Sequence, residues 1–227
     1  QLRVELEKLE GGDAREHTAL SERQFGALAW FAELVPALLA TVTASELPLP
    51  VLRLAVFELI TRSGGERPTE LQAEPADFLH DLWIGPAPYR PYHDFYHPAQ
   101  WRRFWDFGNG TLGDMGCHHL DLPFWALELR HPVRVSAEGP PVHPETAPTS
   151  MSARWEFPAR KAADGRELNP VVLHWHDGGR LPAQFSDEKL GLPKWGGGGT
   201  LFVGDEGMLL ADYGRYLLFP EQKFADF

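Results

Sequence analysis

Cysteine is almost absent from this sequence, which contains only Cys117 among 227 residues. A single cysteine excludes an intramolecular disulfide, and it also excludes a zinc site built from several cysteines. Because Cys117 follows Gly116 in a predicted helix, we expect a small buried residue rather than a reactive thiol.

Positive charge is scarce as well. The chain has 21 Lys and Arg residues against 32 Asp and Glu residues, which gives a formal net charge of −11. No run of lysine or arginine offsets this excess of negative charge. An acidic surface repels a phosphate backbone, so nucleic acid is excluded as a partner.

Long hydrophobic runs are also missing. The most apolar segment, residues 25–42, contains Glu33 and Pro36, which favour a buried or amphipathic helix over a membrane-spanning one. We therefore expect no membrane partner. Residues 1–10 are charged throughout, and no cleavable signal peptide is expected there. The sequence leaves the cytoplasm and the periplasm open as locations.

Motifs that bind nucleotides or activate a serine are missing too. The sequence contains no G-x-G-x-x-G turn between a strand and a helix, no P-loop and no G-x-S-x-G nucleophile elbow. The glycine run at residues 196–199 lacks the flanking strand and helix that a phosphate-binding turn needs. No complete dinucleotide site is therefore expected within the chain.

The patterns that are present predict an α+β fold. Helical patterns dominate the first half and strand patterns the second, which favours a largely antiparallel sheet with helices on one face. The aromatic-rich loop at residues 63–98 is expected to be a packed arm, since long loops in compact domains are usually functional. Helices are predicted at residues 22–39 and 110–129, and strands at residues 51–61, 133–137, 151–157, 171–176, 200–203, 208–211 and 216–219.

The strongest chemical signal lies in the predicted helix 110–129. Asp114, His118 and Asp121 are spaced i, i+4 and i+7, which places two carboxylates and an imidazole on one helix face. An imidazole beside a carboxylate suits general acid or base catalysis on a hydroxyl group near neutral pH. The alternative is that Asp114 pairs locally and His118 fills a gap in the core.

A second signal is the pair His174 and His176, which point to the same side of a predicted strand. Together with Asp114 or His118, these imidazoles would form a metal site with histidine and carboxylate ligands. The more common explanation is that both are surface or interstrand residues, and no metal ligand is assigned.

Two aromatic segments precede the helix. Arg102 lies between Trp101 and Trp105, which suits binding of a carboxylate, a phosphate or a sugar face, unless Asp106 simply neutralises an arginine. His97 is held extended by the proline that follows it, and it borders either a pocket or solvent.

Several ordered motifs resemble one branch of the glucose-fructose oxidoreductase/inositol dehydrogenase (Gfo/Idh/MocA) family. The helix stretch follows the family pattern G-x-L-x-D-x-G-x-H-x-x-D throughout, and the resemblance extends from about Gly64 to Pro220. The other matching runs are residues 81–88, 92–93, 96–98, 101–102, 105–108 and 199–207.

The resemblance implies a C-terminal α/β substrate domain with an open mixed sheet and helices on one side. It matches His118 with the family's catalytic acid/base and Asp114 with its acidic partner, while Trp101 and Arg102 match residues that face the cofactor and the cleft. The family transfers a hydride between a sugar or polyol carbon and NAD or NADP. The remaining candidates of this region are assigned to substrate binding: Asp121, Trp105 and His97.

The sequence departs from the family in its first part. The family's glycine-rich nucleotide loop and its Glu-Lys-Pro motif are absent, and Glu7-Lys8-Leu9 is a poor substitute. Residues 1–62 are therefore predicted to be an unmatched helical segment plus a first strand, and residues 63–227 an incomplete substrate domain. We expect a fragment or a shifted reading frame, with most of the NAD or NADP site outside the chain.

Three functional hypotheses follow. The leading one is the substrate domain of a nicotinamide-dependent sugar or polyol oxidoreductase, inactive alone, with NAD-dependent glycoside cleavage open beside dehydrogenation. The second is a non-catalytic module that binds a sugar or forms homo-oligomers through the sheet face, as sheets of this family commonly do. The third is a metal-dependent hydrolase that uses His174, His176, Asp114 and His118.

Overall fold

A seven-stranded sheet forms the centre of the computed structural model, which describes residues 51–60 and 63–227. The helices are α1 (His80–Ile84) and α2 (Gly110–Ala126). The strands are β1 (Leu52–Glu58), β2 (Arg134–Glu138), β3 (Ser152–Phe157), β4 (Arg160–Lys161), β5 (Glu167–Leu168), β6 (Val171–Asp177), β7 (Gly198–Val203), β8 (Met208–Ala211) and β9 (Tyr216–Phe219).

The strand order in the large sheet is β2-β3-β6-β1-β7-β8-β9, and β4 pairs with β5 in a separate ribbon. β1 runs parallel to β6 and antiparallel to β7, and all other neighbours in the large sheet are antiparallel. The chain therefore has the expected α+β fold with a mixed, largely antiparallel sheet. β1 takes the central position, although α2 and a long irregular segment separate it from the other strands in sequence.

The element boundaries follow the sequence pattern closely. Each strand of the large sheet lies at a predicted run, and β8 and β9 coincide with theirs at both ends. Helix α2 ends at Ala126, before the expected Leu129, and Glu128 turns the chain with a φ of 48°. The predicted helix at residues 22–39 lies outside the described residues.

The segment between β1 and α2 contains a packed aromatic arm, and its ring contacts span residues 78–107 rather than the expected 63–98. It includes α1 and two short 3-10 turns, Asp94–Tyr96 and Gln100–Arg103. The ring centroids of Trp83 and His97 lie 4.3 Å apart in an edge-to-face arrangement. Ring contacts of this kind order the arm where regular secondary structure is sparse.

Strand alternation assigns each sheet residue to one of two faces. Leu54 of β1 and Leu173 of β6 are fully buried on the face beneath α2, where Leu120 and Leu127 pack against them. Burying one leucine side chain contributes about 1.5–3 kcal/mol, so this face supplies much of the driving force for folding.

A second apolar cluster lies on the opposite face, over β7, β8 and β9. Phe57 and Leu201 are buried there beneath the segment that follows β6, which contributes Phe185 and Trp195. The sheet is thus covered at this end by α2 on one side and by a loop with short 3-10 turns on the other. Over β3, β6 and β1, the same face carries polar side chains instead.

Helix α2 has 17 residues and includes Pro123 in its second half. None of the helices in the described ranges has the length and apolar character that crossing a bilayer requires.

Candidate functional site

Helix α2 begins at a position that favours glycine. Gly110 has a φ of 67°, and a Cβ atom there would lie 2.4 Å from Ala147 Cβ and 2.6 Å from Ser63 Oγ. Ser63 Oγ accepts a hydrogen bond from the Thr111 backbone N–H at 2.8 Å, so a residue distant in sequence caps the helix. These contacts fix where α2 starts relative to the sheet.

The i, i+4, i+7 face of α2 points away from the sheet. The Asp114 side chain is 19% exposed, and His118 and Asp121 are exposed, whereas His119 and Pro123 are buried. These three side chains have the common outward orientation that their i, i+4, i+7 spacing predicts. Their roles in catalysis and substrate binding stay predictions.

Arg102 holds the carboxylate of Asp114. The Arg102 Nε atom lies 2.9 Å from Asp114 Oδ1, and the guanidinium carbon lies 4.4 Å from the centre of the Trp101 ring. Arg102 Nη1 also donates to the Ala99 carbonyl oxygen at 2.9 Å. The structure thus brings together three predicted site residues, while no hydrogen bond between described residues joins Asp114 to His118.

Trp105 and His97 make their contacts elsewhere. The Trp105 indole donates to the His143 carbonyl oxygen at 3.0 Å, and the residue is 40% exposed. The His97 ring packs against Trp83, and its Nε2 atom is buried with no hydrogen-bond partner among the described residues. No hydrogen bond or ring contact in the described part of the chain joins either residue to His118.

The environment of His97 favours a neutral ring. Burial lowers the pKa of His97, the nearby His80 lowers it further, and Asp94 raises it. A neutral imidazole at this position packs in the aromatic arm as an apolar ring with one hydrogen-bond donor.

A buried acid–imidazole pair lies on the sheet side of α2, where the sequence pattern did not reveal it. Glu58 at the end of β1 and His119 of α2 are 2% and 6% exposed, with 3.3 Å between Oε2 and Nε2. Asp177 is the register partner of Glu58, and its Oδ2 accepts from Trp175 Nε1 at 3.0 Å. Burial raises the pKa of Asp177, hydrogen bonds from Trp175 and the Met151 backbone lower it, and Glu58 raises it again.

Replacing Gly198 by alanine is expected to destabilise the fold by about 1–3 kcal/mol. A Cβ atom at this position of β7 would lie 2.6 Å from His119 Nε2 and 3.0 Å from Glu58 Oε2, so it would push the buried pair apart. Gly196→Ala is the matched control, because a Cβ atom there meets nothing within 4 Å. Urea unfolding compares the two variants, and equal midpoints would contradict this role of Gly198.

The metal-hydrolase hypothesis is wrong, because the described residues do not have the ligand arrangement that it requires. His174 and His176 lie on the sheet face opposite α2, because Trp175 between them is the residue buried beneath the helix. The ligands expected from α2, Asp114 and His118, are therefore on the other side of the sheet. Within the described ranges, no group of three or more His, Cys, Asp or Glu side chains is arranged to hold a metal ion.

Cys117 is exposed, which corrects the expectation of a buried residue. Its Sγ atom lies 3.5 Å from the Asp114 carbonyl oxygen, one turn earlier in α2. A helix turns about 100° per residue, so a residue next to the buried Gly116 can face outward. Small size alone did not indicate which side of the helix the thiol occupies.

The arm, α2 and β1 all lie in a part of the chain that matches a known family. The sequence model described as "Oxidoreductase family, C-terminal alpha/beta domain" matches residues 44–168, more than half of the chain. The chain belongs to the Gfo/Idh/MocA oxidoreductase family. The match includes β1, which lies before the predicted division after residue 62, and that division stays a prediction.

A crystal structure of an oxidoreductase from Thermotoga maritima is similar to this Gfo/Idh/MocA chain, with 13% sequence identity and a TM-score of 0.39. The similarity covers 86% of this chain and 43% of the other protein, so the chain spans less than half the length of that oxidoreductase. No curated protein matches the chain.

Proposed function

We propose that this Gfo/Idh/MocA domain binds a sugar or polyol and orients one of its hydroxyl-bearing carbons for hydride transfer. The observation that carries the proposal is the exposed imidazole of His118, one turn after the Asp114–Arg102 ion pair on the outer face of α2. An accessible imidazole can exchange a proton with a bound hydroxyl group near neutral pH. Membership of an oxidoreductase family supports this choice of chemistry.

In the proposed reaction, His118 takes the hydroxyl proton as the hydride leaves the same carbon, and it returns the proton in the reverse direction. Asp114, held by Arg102 at 2.9 Å, supplies negative charge on the same helix face and stabilises the positive charge that the ring gains with the proton. Asp121 is exposed on this face and is proposed to accept a hydrogen bond from a second hydroxyl group.

The chemistry that a bound NAD or NADP supplies is hydride acceptance at its nicotinamide ring. Trp101 and Arg102 are the residues of this chain proposed to border it, the first with a flat apolar ring and the second with a guanidinium group already fixed by Asp114. The residues of this chain fit only part of NAD or NADP, because the sequence has no glycine-rich turn to bind the phosphates. We propose that a separate nucleotide-binding domain holds the phosphates, so the isolated chain should bind NAD(P) weakly and should not turn over.

Ligand titration of the chain tests this proposal. A panel of neutral sugars and polyols is titrated while NMR follows the His118 ring resonances, which are expected to shift with a binding ligand. Asp121→Ala should weaken that ligand by about fivefold, since one hydrogen bond contributes about 1 kcal/mol. Asp205→Ala removes another exposed carboxylate from a different part of the surface and should leave binding unchanged. A panel in which no sugar or polyol perturbs the ring would refute the proposal.

A further inference from the structure

A cavity of about 590 Å³ lies on the sheet face opposite α2; we name it the sheet-face cavity. Its floor is formed by β1, β6 and β3, and Ala183 and Gln184 contribute to its rim. Its lining residues do not include those of the proposed sugar site. Small-molecule pockets usually measure about 300–1,000 Å³, so this cavity has room for a metabolite-sized ligand.

Basic side chains dominate the polar lining of the sheet-face cavity. Arg53 of β1, Arg154 of β3 and both His174 and His176 of β6 line it, and the described lining residues include no aspartate or glutamate. The strand register explains this grouping, because Arg154 lies opposite His174 and Arg53 lies opposite Val172. Two guanidinium groups thus line one cavity in a chain whose net charge is −11.

The two arginines differ in their partners. Arg154 Nη1 pairs with Glu156, two residues further along the same strand. Arg53 is exposed and has no acidic partner within ion-pair distance among the described residues. One guanidinium group is therefore partly neutralised, and the other keeps its donors for water or a ligand.

The positive charges of Arg53 and Arg154 both act on the His174 ring. Burial lowers the pKa of His174, and the positive charges of Arg154 and Arg53 lower it further. The ring is therefore neutral near pH 7 and offers a hydrogen-bond donor between two cations. A negative charge placed there would be attracted by both arginines at once.

We propose that the sheet-face cavity binds a small organic phosphate monoester, with the phosphate between Arg53 and Arg154 and the His174 imidazole as a further donor. Guanidinium groups bind tetrahedral oxyanions through paired N–H donors. Three donor groups on three adjacent strands match the three terminal oxygens of a phosphate monoester better than the two oxygens of a carboxylate.

The remainder of the cavity indicates that the ligand has an organic part. The apolar lining residues are Val51, Leu54, Ala55, Val172, Ala183 and Val203, of which Leu54 and Ala55 are already buried in the sheet. Inorganic phosphate would leave most of the 590 Å³ unfilled, and it would leave uncovered the side chains that are at least partly exposed, Val51, Val172, Ala183 and Val203. An organic group next to the phosphate would bury them and add hydrophobic stabilisation.

Titration calorimetry with the whole 227-residue chain tests the proposal. Glycerophosphate is the probe, and glycerol and inorganic phosphate are the reference ligands at constant ionic strength. We expect glycerophosphate to bind, inorganic phosphate to bind more weakly and glycerol not to bind. Arg53→Gln and Arg154→Gln should each weaken glycerophosphate binding by about tenfold or more, because each removes charge-assisted hydrogen bonds.

Arg166→Gln is the matched control. Arg166 is exposed in the turn between β4 and β5, where it pairs with Asp164, and its loss changes the net charge equally. It should leave binding unchanged, and an equal loss in all three variants would overturn the proposal. If Arg154→Gln does not fold, the glycerophosphate affinity of Arg53→Gln tests the proposal alone, because Arg53 is exposed. Absence of glycerophosphate binding would refute the site. The site would also be refuted if the arginine variants bind glycerophosphate normally and only dissociate a homo-oligomer in sedimentation.

The pH dependence of sulfate binding provides a second readout, because sulfate keeps its double negative charge across this range. Burial lowers the pKa of His176. The nearby His174 and Arg180 lower this pKa further, and Glu138 raises it. The Nδ1 atom of His176 lies 3.2 Å from Ser152 Oγ. A bound anion raises the lowered pKa values of both rings, so protons are taken up on binding. Sulfate affinity should therefore rise as the pH falls from about 7.5 to about 5.5. The doubly substituted His174→Gln, His176→Gln protein should lose this dependence, and an unchanged profile would count against the site.

Discussion

Replacing His118 by alanine is expected to lower kcat by roughly 10²–10⁴-fold in an enzyme that joins this domain to a nicotinamide-binding domain. The reason is that the proposed proton acceptor is lost, and the neighbouring His119 cannot replace it because it is buried against Glu58. The measurement is steady-state kcat and kcat/KM for the sugar or polyol identified by titration.

Two controls separate proton transfer from damage to the fold. His131→Ala removes an exposed histidine outside α2 and should leave kcat unchanged. Added imidazole should restore part of the activity of the His118→Ala enzyme, which a merely structural role would not produce. A loss of kcat smaller than about threefold would remove His118 from the mechanism.

Replacing Trp175 by alanine is expected to destabilise the fold by about 3–5 kcal/mol. The Trp175 side chain is fully buried between β6 and α2, where it packs with Val56 and Ala153. Its loss would leave a cavity and would remove the N–H group that donates to Asp177 Oδ2 at 3.0 Å. Urea unfolding followed by circular dichroism measures the change in the free energy of unfolding.

Trp175→Phe separates the two contributions, because phenylalanine keeps much of the apolar area but has no N–H group. Leaving the buried carboxylate of Asp177 without this donor should cost about 1–3 kcal/mol. Trp125→Ala is the control, since Trp125 is 50% exposed on α2 and its loss should cost less than about 1 kcal/mol. Equal losses for Trp175→Ala and Trp125→Ala would contradict the packing of Trp175 between the sheet and α2.

Strand positions were predictable because each strand is a short apolar run bounded by turn residues. β8 and β9 lie where expected, and the turn before β8 is closed by a hydrogen bond from Gly204 N to Gly207 O at 3.0 Å. The pairing of β1 was not predictable in the same way. Its apolar residues indicate burial on both faces but do not say that β6 and β7, distant in sequence, lie on either side of it.

Part of the candidate site was likewise predictable from local sequence, and part was not. The periodicity of α2 predicted that Asp114, His118 and Asp121 share one face, and the structure confirms it. The pairing of Glu58 with His119 was missed, although a polar residue three positions after Gly116, on the same helix face, offered a signal. Its partner comes from a strand that meets the helix only in the folded protein.

What the sequence alone determined about this protein is local: the elements, the shared helix face of Asp114, His118 and Asp121, and the motifs of the Gfo/Idh/MocA family. These follow from the fixed periodicities of helix and strand, which act over a few residues. Only the tertiary structure decided that Arg102 holds Asp114, and that Arg53, Arg154 and His174 meet in one cavity. These groups are separated in the chain, and sheet pairing and helix packing bring them to shared sites, where hydrogen bonds and charge interactions act.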